Sequence, residues 1–155
     1  MSIETLEHIV GEHPLFAGLD ADFLTTVTGC ARNVRFQQGE YLCHEGDEAG
    51  QLFLIREGLV GLEISAPGQG RMTFQSVGQS GVVGLSWLVP PYRWRFDARA
   101  LQDVRALSFD AVCLRDKCEA DPALGFEVMK RCMAPMLERV HNTRLQMLDL
   151  YGGRA

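Results

Sequence analysis

The stretch Phe36-Gln37-Gln38-Gly39-Glu40-Tyr41-Leu42-Cys43-His44-Glu45-Gly46-Asp47, with Leu52-Phe53-Leu54-Ile55-Arg56-Glu57-Gly58-Leu59-Val60 after it, decides the fold. Its apolar runs are short, and each is closed by a glycine instead of recurring at helical spacing. Gly39, Gly46 and Gly58 stand where a β-fold needs positive φ or a tight reversal. Outward from this stretch the same texture runs from Val34 to Phe109, punctuated by Gly50, Gly61, Gly68, Gly70, Gly78, Gly81 and Gly84. The spacing predicts strands over 33–36, 41–44, 51–57, 58–65, 71–77 and 96–109, the last divided by a turn near Gln102-Asp103. Regular glycines between short strands indicate an antiparallel jelly roll or barrel.

Helices flank this β region. Upstream, Leu6, Ile9 and Val10 lead to a turn at Pro14 and Gly18, and Asp20 is placed to cap a second helix carrying Phe23, Leu24, Val27 and Cys30-Ala31 on one face. Downstream, Asp110 precedes the helical Ala111, Val112 and Leu114, and Asp121-Pro122 opens a long helix. Along it Phe126, Met129, Met133, Met136, Val140, Thr143, Met147 and Leu150 recur at intervals of three and four, the spacing of a coiled-coil seam. Such a stripe either packs on its own domain or pairs with a second copy. Pro135 removes one helical hydrogen bond, so a bend or break is expected there. The fold class is therefore mainly β with flanking helices: a jelly roll at 33–109, short N-terminal helices at 1–32 and C-terminal helices at 110–152, in one domain over 1–155.

With 46% hydrophobic residues, 155 residues suffice for one buried core. A net charge of −5 disfavours binding nucleic acid by phosphate neutralisation. There is no basic-then-apolar leader and no run of roughly 20 apolar residues, which places the chain in the cytoplasm and off the membrane. Five cysteines, Cys30, Cys43, Cys113, Cys118 and Cys132, are odd in number and scattered, which suits reduced thiols; sensing by one of them needs an exposed, low-pKa thiol. No grouped nucleophile, base and acid, no metal-ligand cluster and no P-loop occur, so neither an enzyme nor a metal site is expected. His44 and His141 read as surface or satisfied histidines more readily than as ligands.

The element order and three motifs resemble the cyclic-nucleotide-binding domains of bacterial catabolite-activator-type regulators, kinase regulatory subunits and gated channels. His13-Pro14-Leu15-Phe16-Ala17-Gly18-Leu19 is similar to the family's entry turn, residues 36–47 to its second and third strands, and residues 52–60 to the following hairpin. In that family the ligand lies on a cassette: a glycine-led short helix, a glutamate for the ribose hydroxyl and an arginine for the cyclic phosphate. A helix N-terminus and a forked guanidinium both suit an anion. The cassette falls at 78–99. Gly84 matches its glycine and Leu88 its core leucine, but Leu85 stands at the glutamate position and Trp94 at the arginine, with Arg93 and Arg95 on either side.

The missing carboxylate weakens a ribose contact by about 1–3 kcal/mol. Arg95 either recovers the phosphate contact through a shift of the loop 89–93 or forms a surface ion pair. Trp87, Tyr92, Trp94 and Phe96 either fill the pocket or stack on a planar ligand. The resemblance implies ligand contacts at Val83, Gly84, Leu85, Ser86, Trp87, Arg93, Trp94, Arg95 and Phe96, with Arg139, His141 and Thr143 of the long helix on the base side. It implies cAMP or cGMP as ligand, no covalent cofactor, and signalling through the last helix, by way of a homodimer or a protein effector. Transcription regulators of this kind continue into a helix-turn-helix; the chain ends soon after the long helix, so direct DNA binding is not expected. The alternative is a ligand-free adaptor whose pocket is closed by Leu85 and the tryptophans.

Overall fold

A computed structural model describes residues 2–152. Two helices, α1 (Ile3–Glu12) and α2 (Ala21–Thr28), precede strands β1 (Ala31–Phe36), β2 (Tyr41–Cys43), β3 (Gln51–Glu57), β4 (Val60–Ala66), β5 (Gly70–Val77) and β6 (Val82–Val83). A single 3-10 turn (Leu85–Leu88), β7 (Asp97–Ala100) and β8 (Val104–Asp110) follow, and then α3 (Ala111–Ala120) and α4 (Pro122–Gly152). The strands form two four-stranded sheets in the orders β1-β8-β3-β6 and β2-β7-β4-β5, every pair antiparallel. This is the jelly roll that the glycine spacing indicates. The expected strand over 96–109 is indeed two, and the structure adds β6, whose two residues among glycines are too few for an alternating pattern to mark.

The run Leu52-Phe53-Leu54-Ile55 shows why β3 lies at the centre. Successive strand residues point to opposite faces. Leu52 and Leu54 join Leu107, Phe109, Val10, Phe16, Leu114 and Val128 in a core between sheet and helices. Phe53 and Ile55 join Leu62, Val104, Trp94 and Phe96 inside the roll. A strand covered on both faces loses the polar alternation of a half-exposed one. At Gly58, φ is 96° and a Cβ would lie 2.3 Å from the Asp103 carbonyl, so this hairpin requires glycine.

The cap expected at Asp20 is present, and Asp110 caps α3 as well; α2 stops at Thr28, short of Cys30-Ala31, because Ala31 already pairs with Phe109 as the first residue of β1. Asp20 accepts a hydrogen bond from the Asp22 amide at 3.0 Å, and Asp110 from that of Cys113 at 2.8 Å. Pro135 does not break α4, which runs through it without interruption. The turns before it are fixed by the buried face Leu124, Val128 and Cys132; those after it are fixed by bonds from Arg139 to the Val82 carbonyl and from Gln146 to that of Phe74. Support on both sides outweighs one lost hydrogen bond. The stripe from Phe126 to Leu150 is a different face, exposed in the single chain, with Met136, Val140 and Thr143 lying along the edge of the roll beside Phe74 and Phe96.

The expectation that all cysteines are reduced is corrected. Cys30 and Cys113 form a disulfide, their Cα atoms 5.7 Å apart and their positions separated by 83 residues. Pairing of Ala31 with Phe109 across β1 and β8 brings the two cysteines together, a contact that spacing along the chain cannot reveal. Cys43, Cys118 and Cys132 are free. Among the described residues no helix is long and apolar enough to cross a membrane, and no group of three or more His, Cys, Asp or Glu side chains could hold a metal ion.

Candidate functional site

The site begins where β6 ends. Gly84 has φ 107° and ψ 39° and starts the 3-10 turn that buries Leu85 and Trp87. A Cβ on Gly84 would lie 2.6 Å from the outer edge of the Trp94 indole and 2.9 Å from the Gln51 carbonyl. Trp94, 5% exposed, stacks on Phe53 at 6.3 Å between ring centroids and also meets Phe96. An indole thus fills the interior beneath the turn.

Backbone bonds fix the register of this segment. The Trp94 amide donates to the Asp47 carbonyl at 2.9 Å, the Gly46 amide to the Trp94 carbonyl at 2.9 Å, and the Ala49 amide to the Tyr92 carbonyl at 2.6 Å. In an extended segment neighbours point to opposite sides. With Trp94 inside, Arg93 and Arg95 are outside, and both are exposed. Arg95 forms no surface ion pair: among the described residues, neither Arg93 nor Arg95 has a side-chain hydrogen bond or ion pair.

Both arginines line a cavity of about 360 Å³ with Leu85, Ser86, the Pro90-Pro91 corner, Phe96, Met136 and Arg139. A second lobe of about 330 Å³ adjoins it, shares Phe96, Met136 and Arg139, and continues over Leu62, Phe74, Val140 and Thr143 to Arg144. The two lobes make a groove between the roll and α4. Among the described residues, four arginines line it and no carboxylate does.

Residues 33–121 match the cyclic nucleotide-binding domain family. The chain belongs to that family. The CRP-like cAMP-activated global transcriptional regulator of Mycobacterium tuberculosis is 24% identical over 143 residues, which are 92% of this chain and 63% of that protein. The chain therefore spans less than two thirds of the length of this curated relative. A crystal structure described as a cyclic nucleotide-binding protein from Geobacter metallireducens GS-15 is 30% identical, with TM-score 0.77, covering 91% of this chain and 99% of the other. A cyclic nucleotide-binding domain from Methylobacillus flagellatus kt shares the fold at 20% identity and TM-score 0.79, covering 95% and 83%.

Within this cyclic nucleotide-binding domain, the cassette is tied to α4 at two points. The Arg139 guanidinium donates to the Val82 carbonyl just before the turn, and burial pushes its pKa down. Trp87, fully buried, has its indole beside the Cys132 sulfur; burial raises that thiol to about 12, with the indole contact opposing. A third tie comes from α3: Arg115 donates to the Trp87 carbonyl at 2.6 Å and stacks over Tyr92 at 3.9 Å. Burial also raises the Cys43 thiol to about 12 and that of Cys118 upward, so no free cysteine is a thiolate at neutral pH. His13, in the entry turn, accepts the Leu15 amide on Nδ1 at 3.1 Å, and burial lowers its pKa.

The expected contacts divide accordingly. Leu85, Ser86, Arg93, Arg95, Phe96, Arg139 and Thr143 line the groove. Val83, Gly84, Trp87 and Trp94 lie in the core behind it and line neither lobe, as the filling reading of the tryptophans anticipates. His141 is exposed and faces neither lobe. Sequence reasoning missed Leu62, Phe74, Met136 and Arg144 as groove residues, and Arg115 as the strut of the turn. Met136, Arg139, Val140 and Thr143 share one helical face, so a groove contact at Arg139 and Thr143 brings Met136 and Val140 with it.

Proposed function

We propose that this domain is a regulatory sensor that binds a cyclic nucleotide or a related phosphate-bearing anion in the groove and passes the event to α4. The observation that carries this reading is the groove's charge: four arginines and no carboxylate on a chain of net charge −5. Unpaired guanidiniums are strong forked donors to phosphate. The phosphate sits on Arg93 and Arg95, and the planar part lies on Phe96 beneath Met136 and Val140. Leu85 leaves the ribose hydroxyl ungripped, so ordinary cyclic nucleotides bind more weakly than at a site with a carboxylate. The cAMP-activated relative supports a nucleotide of this class.

The response travels through α4, because a ligand that draws Arg139 away from the Val82 carbonyl changes how the helix is held. The rest of the exposed stripe of α4, Phe126, Met129, Met133, Met147 and Leu150, is then the output surface, covered by a second copy or by a protein effector. Isothermal calorimetry with cAMP, cGMP and cyclic dinucleotides tests the proposal. Binding is expected with at least one of them, and Arg95→Ala weakens it on the order of tenfold or more, the loss of a charge-assisted hydrogen bond. Absence of heat with every nucleotide overturns it. That outcome favours the second reading, an adaptor without a small ligand, for which the indole filling the cassette interior speaks.

A further inference from the structure

We propose that Cys30–Cys113 is a redox-modification site, reduced by a dithiol donor, and that its state sets the posture of the cassette turn through α3. The disulfide lies in an open cleft of about 280 Å³ lined by Gly29, Arg32, Gln51, Ser108 and Asp110 as well as the two cysteines. Cys30 is buried and Cys113 half-exposed, so Cys113 is the sulfur that an incoming thiolate reaches.

The exchange balances in two steps. A thiolate of the donor attacks the Cys113 sulfur; the bond to Cys30 breaks, and Cys30 leaves as thiolate and takes a proton. The donor's second thiolate then attacks its own sulfur in the mixed disulfide, releasing Cys113, which is protonated in turn. Two electrons and two protons reach the protein, and the donor ends as an internal disulfide.

The bond to Cys30 covalently anchors the first turn of α3. Cys113 is the third residue of that helix, its amide bonded to Asp110, and Arg115 lies two residues on. Arg115 holds the Trp87 carbonyl and covers Tyr92, the residue beside Arg93. Opening the bond frees the turn of α3 that supports Arg115. The three free thiols do not compete for this role, since burial raises each of them. The chain's two tryptophans, Trp87 and Trp94, both belong to the cassette, so intrinsic emission reports on it without any ligand.

The test uses the whole chain with dithiothreitol as donor. Thiols are counted in denaturant before and after treatment, and native tryptophan emission is recorded alongside. The expected count rises from the three free cysteines to all five, and the emission shifts with it. Arg115→Ala shows the same rise in thiols with the shift lost, and Cys30→Ser/Cys113→Ser has the shifted emission without reductant. Five thiols in the untreated chain overturn the proposal. So does reduction with unchanged emission, or an undiminished shift in Arg115→Ala. Should Arg115→Ala fail to fold, the double serine variant decides alone: emission like that of the untreated wild type refutes the coupling.

Discussion

Replacing Arg139 by methionine separates a structural strut from a ligand contact. The Arg139 guanidinium donates to one carbonyl, that of Val82, and no carboxylate lines either lobe beside it. Removing this donor forfeits about 1.5–3 kcal/mol for a hydrogen bond from a charged group. Burial lowers its pKa, the mark of a desolvated cation, and desolvation costs several kcal/mol per ion, about what the bond returns. Methionine keeps the length and fills the space with apolar surface. The net expectation is a ligand-free domain from unchanged to about 2 kcal/mol more stable. In urea, at a slope of about 1–3 kcal/mol per molar, the midpoint stays level or rises. Ligand response moves the other way. A nucleotide at a hundred times its dissociation constant stabilises the wild type by about 2.7 kcal/mol. If Arg139 supplies one charged contact, affinity falls on the order of tenfold to 150-fold, and the increment at the same concentration drops to about 0.3–1.4 kcal/mol. Urea titrations with and without nucleotide read both quantities. A variant that loses more than about 2 kcal/mol unliganded yet keeps the full increment would make Arg139 a strut and refute the reasoning.

Gly84→Ala combines a left-handed backbone penalty of about 1–2 kcal/mol with overpacking against Trp94 of about 1–3 kcal/mol. A loss of about 2–5 kcal/mol in urea is expected, with Gly84→Ala/Trp94→Phe recovering the packing share; a loss below about 1 kcal/mol contradicts the close approach. For His13 the folded pKa lies below the ordinary 6.5, so at lower pH the unfolded chain binds a proton that the folded chain does not. Stability is therefore full above the ordinary value and falls as pH drops from there through the lowered folded pKa, and this part of the slope vanishes in His13→Gln; equal slopes in the two proteins rule His13 out. Met147 lies on the exposed stripe and away from the groove, so Met147→Glu is expected to abolish dimers in sedimentation while leaving nucleotide binding intact; a monomeric wild type at high concentration removes the dimer.

The sequence carried information where the deciding physics is local. Gly58 and the short apolar run Leu52-Phe53-Leu54-Ile55 that precedes it announce a strand and a hairpin, because a run too short for a helix and a reversal needing glycine are both set by neighbours along the chain. Asp20 and Asp110 announce helix starts for the same reason. Leu85 and Trp94 were legible as departures by simple position. The side on which Arg93 and Arg95 emerge was not, since it follows from bonds between residues 92–94 and the β2–β3 connection. The disulfide depends on pairing of β1 with β8, and the buried face of α4 on what lies beneath it; each is a tertiary contact that spacing does not encode.

A one-residue displacement in an extended segment is a change of side, and this has consequences for a site built on Trp94 in place of arginine. A cation beneath the 3-10 turn would hold an anion within the cassette, leaving α4 to sense the ligand at second hand. With the indole inside, the guanidiniums of Arg93 and Arg95 open on a groove that α4 itself roofs through Met136, Arg139 and Val140. An anion held there would touch α4 directly, the helix that the proposed function makes the output. The bond from Arg139 to the Val82 carbonyl is then the contact that ligand and resting state compete for. Trp87 is the other junction, meeting Arg115 of α3 on its carbonyl and Cys132 of α4 on its ring. A change at Cys113 and a change at the groove thus reach α4 by separate side chains, and Arg115→Ala and Arg139→Met should each silence one input while sparing the other.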